Sequence, residues 1–170
     1  FAEAANLPAE DAADIQPSTA EGAVKIVCLQ LSRIANFDDL DPLKLEPGVS
    51  VGMVQPGQPI SGDADLVILP GSKSTRDDLA FLRAQGWDID LMAHRRRGGR
   101  ILGICGGYQM LGSKISDPHN IEAGGEIEGL GLLDVETVLK ESKETHQVEA
   151  VQIDGGKNLK GYEIHMGDSS

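Results

Sequence analysis

Apolar positions follow two rhythms along this chain. Val24-Lys25-Ile26-Val27-Cys28-Leu29-Gln30-Leu31 is β-branched and mostly apolar, which predicts a strand. Residues 32–43 predict a loop leading into a short helix that stops near Pro42. A second strand is expected over 49–54, bounded by Pro47-Gly48 and Pro56-Gly57. Asp65-Leu66-Val67-Ile68-Leu69 is a third, and its continuous apolar run suits a parallel sheet covered on both faces. From 75 to 97 the rhythm lengthens to a helical one, with Leu79, Phe81, Leu82, Ile89, Leu91 and Met92 as apolar positions and a break at Gly86. A strand over 100–104 and a helix from Gly106 to about Gly112 follow. Beyond Ser116 the chain predicts loops and short strands at 129–133, 135–139, 148–153 and 161–165. Strand and helix alternate over the first two thirds. The expected class is therefore α/β, doubly wound, with a mostly parallel sheet. In such a sheet the ligand crevice lies at the carboxyl ends of the strands, where Gly71 and Cys105 both fall.

The segment Leu102-Gly103-Ile104-Cys105-Gly106-Gly107-Tyr108-Gln109 carries the chemistry. An apolar strand turns through one cysteine into a helix, and glycines flank the turn. This is the design of a nucleophile elbow: the turn is strained and crowded, so its neighbours must be small. The free N–H groups at the start of the following helix favour a thiolate. A lone cysteine after an apolar run is otherwise a small core residue. Cys28 fits that plainer description, with neither glycine nor turn beside it.

Composition narrows the function. The length of 170 residues suits one domain, and two cysteines in unlike contexts do not suggest a disulfide framework. A reducing, cytoplasmic setting is expected. The net charge of −12 argues against a nucleic-acid partner, and no apolar run suggests a membrane span. The basic run Arg95, Arg96, Arg97 and Arg100 reads as a solvated helix end, with His94 on the surface beside it. Residues 1–24 are acidic and rich in alanine, and read as a linker or the tail of a preceding domain.

Acyl transfer needs donors for the developing oxyanion. Gly106 N–H follows the nucleophile directly. Leu69-Pro70-Gly71-Ser72-Lys73-Ser74-Thr75 follows a neighbouring strand and offers a second N–H, that of Gly71 or Ser72. The same loop also reads as a turn with a helix cap, Ser74 or Thr75 capping and Asp77 and Asp78 in the first turn. Lys73 does not make it a phosphate loop, because the Gly-x-x-x-x-Gly-Lys spacing is absent. Of His94, His119, His146 and His165 as general base, only His165 lies in a strand-like segment, and chemistry alone selects it.

These segments resemble the class I (triad) glutamine amidotransferases, and more closely the glutaminase half of the cobyric acid synthases. The resemblance rests on the elbow 102–112, the loop 69–75, the segment 31–43, Asp117-Pro118 with Glu122, Gly129-Leu130-Gly131-Leu132-Leu133, and Gly161-Tyr162-Glu163-Ile164-His165-Met166-Gly167. It implies that Cys105 attacks the side-chain amide of glutamine and forms a glutamyl thioester. It also implies that Gly71 and Gly106 supply oxyanion N–H groups and that Gln109 holds the substrate. The ammonia would pass to a separate synthetase domain of the same polypeptide, which uses ATP and magnesium to amidate the corrinoid adenosylcobyrinic acid a,c-diamide. No cofactor is expected in the amidotransferase domain itself, assigned to 25–170. In the family the catalytic histidine lies in a later Gly-Thr-Tyr-x-His-Gly motif, so the base role is not carried to His165. A domain cut short before that motif is expected to lose several powers of ten in turnover. Two alternatives stand beside this reading: a non-catalytic glutamine-binding or interaction module, and a cysteine hydrolase of the same fold.

Overall fold

A computed structural model describes residues 24–170, apart from the side chains at 142–144 and 165. The linker assigned to residues 1–24 therefore lies, but for Val24, outside the described residues. The chain forms two compact units, one ending at Leu111 and the other spanning Gly112–Ser170.

The first unit is built on four parallel strands. β1 (Val24–Leu29) lies between β2 (Val49–Val54) and β3 (Leu66–Leu69), and β4 (Arg100–Gly103) pairs with β3, giving the order β2-β1-β3-β4. A short 3-10 turn (Asp38–Leu40) and α1 (Asp41–Lys44) connect β1 to β2. α2 (Thr75–Ala84) and α3 (Trp87–Arg96) connect β3 to β4, and α4 (Gly106–Leu111) follows β4. The two crossovers run in opposite directions along the sheet, so right-handed connections cover opposite faces. Period-2 alternation then divides the core. Ile26, Cys28, Val51 and Ile68 pack with Leu40 and Leu43 on the α1 side. Val67 and Leu69 point the other way, toward the side of Leu79, Leu82 and Leu91; all five are fully buried. Trimming one of these leucines to alanine costs about 3 kcal/mol.

The break at Gly86 is observed: it sits at φ +76, a left-handed conformation that glycine adopts freely, between α2 and α3. Pro42 differs from expectation. It lies in the first turn of α1 rather than at its end, because the proline's missing N–H is one the first turn leaves unused. His94 also differs. It is buried, with Nε2 3.0 Å from the Arg100 carbonyl oxygen, and the backbone of Gly99 passes so close to the ring that a Cβ there would overlap it. Trp87, Leu91 and His94 form one buried stripe at helical spacing, and the exposed Arg95, Arg96 and Arg97 lie outside it.

The second unit holds β5 (Lys114–Asp117), β6 (Gly125–Glu128), β7 (Glu136–Val151) and β8 (Asn158–Ser169) in the order β6-β5-β7-β8. β5 and β7 are parallel and the other pairs antiparallel. The expected strands at 135–139 and 148–153 are the two ends of one long β7, interrupted by a register shift between Leu139 and Glu144. The expected strand at 129–133 is instead irregular and bends at Gly131, whose φ is +63, with Leu130 buried. Asp117 closes the loop that follows β5. Its buried carboxylate accepts the N–H groups of Ile121, Glu122, Ala123 and Gly124 at 2.8–3.1 Å. Burial alone would push this carboxyl up, but the four donors outweigh it and hold the pKa well below the usual carboxylate range.

Candidate active site

Cys105 stands just beyond the carboxyl end of β4, exposed, in the left-handed region at φ +49. That backbone conformation is uncommon for a residue with a Cβ, and local packing must impose it. The surrounding glycines show how. A Cβ on Gly103 would stand 2.6 Å from the Gly107 carbonyl oxygen and from the backbone of Tyr108. A Cβ on Gly107 would run into the Leu69 and Pro70 carbonyl groups at the end of β3. Both glycines let α4 turn back tightly against the strands, and the tight turn is what lifts the cysteine out of the sheet.

The loop after β3 meets this elbow. A Cβ on Gly71 would come within 3.8 Å of Cys105 Cβ, so the loop flanks Cys105 at contact distance. A Cβ on Gly106 would stand 3.1 Å from Ser72 N, from Ser72 Cβ and from Thr75 Oγ1. Gly71, Ser72, Cys105 and Gly106 are thus one cluster. The Gly71 carbonyl accepts Ala35 N–H at 2.9 Å, and Lys73 N–H donates to the Arg33 carbonyl at 2.8 Å. In a trans peptide the C=O and N–H point in opposite directions. With the Gly71 carbonyl engaged by Ala35, the N–H of Ser72 points away from that segment, and Ser72 N lies beside Gly106. Gln109 is buried one turn into α4, where its Oε1 accepts the Thr75 hydroxyl at 3.1 Å. The four expected site residues Gly71, Cys105, Gly106 and Gln109 therefore lie together in the first unit.

Sequence reasoning missed the group behind this loop. Ser74 occupies the N-cap of α2, yet its side chain makes no capping bond. Asp78, expected only as a first-turn acid of the helix, is fully buried. Its carboxylate accepts Ser32 N–H at 3.0 Å, Ser32 O–H at 2.6 Å and Ser72 O–H at 2.6 Å. The signal was present: Thr75, Asp78, Leu79 and Leu82 form the buried stripe of α2 at helical spacing.

Cys28 packs in the core, where burial, and then the nearby Asp39 charge, push its thiol up to about 12. Of the histidines, His94 is committed to the Arg100 carbonyl, and His119 is exposed with Nδ1 3.7 Å from Glu141. His146 is exposed on β7. His165 pairs through its backbone with Glu144, and its side chain lies outside the described ones. Among the described residues no three His, Cys, Asp or Glu side chains are arranged to hold a metal, and no helix is long and apolar enough to cross a membrane.

The chain is 64% identical over 168 residues to the cobyric acid synthase of Cereibacter sphaeroides strain ATCC 17023, covering 98% of this chain and 35% of that protein. It is 61% identical over its whole length to the cobyric acid synthase of Jannaschia sp. strain CCS1, covering 36% of that protein. The chain thus spans about a third of the length of the curated relatives it matches. Among solved structures, PurLQS from Thermotoga maritima superposes with a TM-score of 0.61 at 19% identity, covering 85% of this chain and 67% of that one. A structure described as a glutamine amidotransferase gives 0.59 at 17% identity, covering 82% of this chain and 70% of that one. These likenesses show an α/β fold with a parallel sheet of class I amidotransferase type. Residues 25–170 match the family described as the CobB/CobQ-like glutamine amidotransferase domain, and the chain belongs to that family.

Proposed function

We propose that this chain is the glutaminase domain of a cobyric acid synthase. The observation that carries the reading is Cys105 held at φ +49 between Gly71 and Gly106 at the carboxyl end of β4. Its sulfur attacks the side-chain amide carbon of glutamine, forming a C–S bond. Negative charge gathers on the amide oxygen. The N–H of Gly106 faces that charge together with the N–H of Ser72, on the Gly71–Ser72 peptide, in place of the Gly71 N–H that the resemblance implies, and one such donor is worth about two to three powers of ten in turnover. The C–N bond then breaks, the nitrogen takes up a proton, and ammonia leaves a glutamyl thioester. Water attacks the thioester and releases glutamate and the free thiol. Gln109, fixed by Thr75, lines the side on which the substrate lies.

The ammonia serves a separate synthetase domain that holds ATP and magnesium and amidates carboxylates of adenosylcobyrinic acid a,c-diamide, in the cytoplasm. Glutamine hydrolysis itself uses neither ATP nor metal. Residues 1–24 are the link to that domain, and 25–170 the amidotransferase domain. The names of the relatives and the one-third span support this arrangement.

Intact-mass analysis after incubation with a chloroketone analogue of glutamine tests the reading. One adduct on the wild-type chain and none on Cys105→Ala is expected. An adduct that persists in Cys105→Ala, or none on the folded wild type, would overturn it and favour the interaction-module reading.

A further inference from the structure

We propose that Asp78 is a positioning residue for oxyanion stabilisation, acting through Ser72. The inference rests on the glutaminase reading above. A fully buried carboxylate is costly unless its oxygens are hydrogen-bonded, and here its donors Ser32 and Ser72 come from the loops that follow β1 and β3. Oδ1 takes the N–H and O–H of Ser32, which follows β1, and Oδ2 takes the hydroxyl of Ser72. The Ser72 oxygen in turn accepts Ser74 N–H at 3.0 Å. Asp78 therefore ties the loop after β1 to the loop after β3. The isolated bridge between Ile34 and Ser72 completes the tie, with Ala35 N–H on the Gly71 carbonyl and Lys73 N–H on the Arg33 carbonyl.

The consequence is angular. The Gly71–Ser72 peptide could rotate and still leave the chain connected, but rotation would turn the Ser72 N–H away from Gly106 and Cys105. The bond from Ala35 holds one side of this peptide, and the chain Ser32–Asp78–Ser72 holds the other. An oxyanion donor is effective because it is already aimed before charge develops. Loss of Asp78 leaves Cys105 in place, since Gly103 and Gly107 build the elbow independently.

The test compares two reagents on the full chain. The chloroketone analogue builds charge on an oxygen, whereas iodoacetamide reports whether the Cys105 thiolate is formed and accessible and needs no oxyanion donor. Asp78→Asn keeps the shape and weakens the tie. Ser72→Ala removes the hydroxyl alone, and serves where Asp78→Asn does not fold. Either variant is expected to lower the maximal rate of chloroketone inactivation by roughly 10- to 100-fold, with half-saturation little moved, and to leave iodoacetamide reactivity within about threefold. Ser72→Thr, which retains the hydroxyl, is expected to restore most of the rate. If both folded variants inactivate within threefold of wild type, or if the two reagents slow equally, Asp78 is structural only and the inference fails. If wild type itself is not labelled at Cys105, the glutaminase reading fails and takes the inference with it.

Discussion

β1 and β4 lie in one parallel sheet, and each brings a cysteine toward its carboxyl end, yet the two thiols have opposite prospects. Cys28 falls inside β1, in register with Met53 of β2 and Ile68 of β3. Its side chain meets Leu40, Val51 and Ile68, and burial raises its pKa to about 12. Cys105 falls two residues past β4, where the chain has left the sheet and turned into the left-handed region. Both are free thiols of the first unit. What separates them is a few residues of strand and the glycines that permit a turn. Position relative to the strand end, more than residue type, decides whether a thiol is buried or presented to solvent.

The widest expected gap is in chemistry. Cys105→Ala should abolish chloroketone labelling, while Cys28→Ala should leave its rate within about twofold. A comparable loss from Cys28→Ala would break the contrast. Next comes the elbow itself. Gly107→Ala drives a methyl into the carbonyl groups of Leu69 and Pro70, so it should abolish chloroketone labelling and cost about 3 kcal/mol or more, seen in denaturant midpoints. Thiol counting with an aromatic disulfide should give one reactive group in the native protein and two after unfolding.

The subtler effects sharpen the core side. A thiol whose folded pKa is raised binds its proton more tightly folded than unfolded. The stability this gives is complete below the unfolded value of 9.0 and is lost as pH rises toward about 12. Stability should fall across that window by at most about 1.4 kcal/mol per pH unit, and Cys28→Ala should remove this component of the slope. The same substitution should cost only about 1–2 kcal/mol near neutral pH, the smallest effect of the set.

The contrast was largely legible in the sequence. The limits of β2, the break at Gly86 and the Gly-x-Cys-Gly-Gly turn each carry a local signal, and each has the structure its signal predicts. What escaped was set by tertiary context. His94 and Asp78 look like surface residues among charged neighbours, yet each completes the buried stripe of its helix. A polar residue in that phase is legible only when its position is weighed above its type. β7 escaped for another reason. Glu141-Ser142-Lys143-Glu144-Thr145-His146-Gln147 has no alternation of apolar and polar positions, so the strand is specified by its partner β8 rather than by a buried face.

The loop closed by Asp117 has a consequence of another kind. Its four N–H groups are gathered by a carboxylate on the loop's own stem, so the loop brings its closure with it. Its form is written in that stem residue and in the left-handed Asn120 and Gly124. Such a segment is portable: moved to the end of another strand with Asp117 in place, it would bring its shape along. Its exposed positions, His119 among them, are free to acquire new contacts while the form is inherited intact.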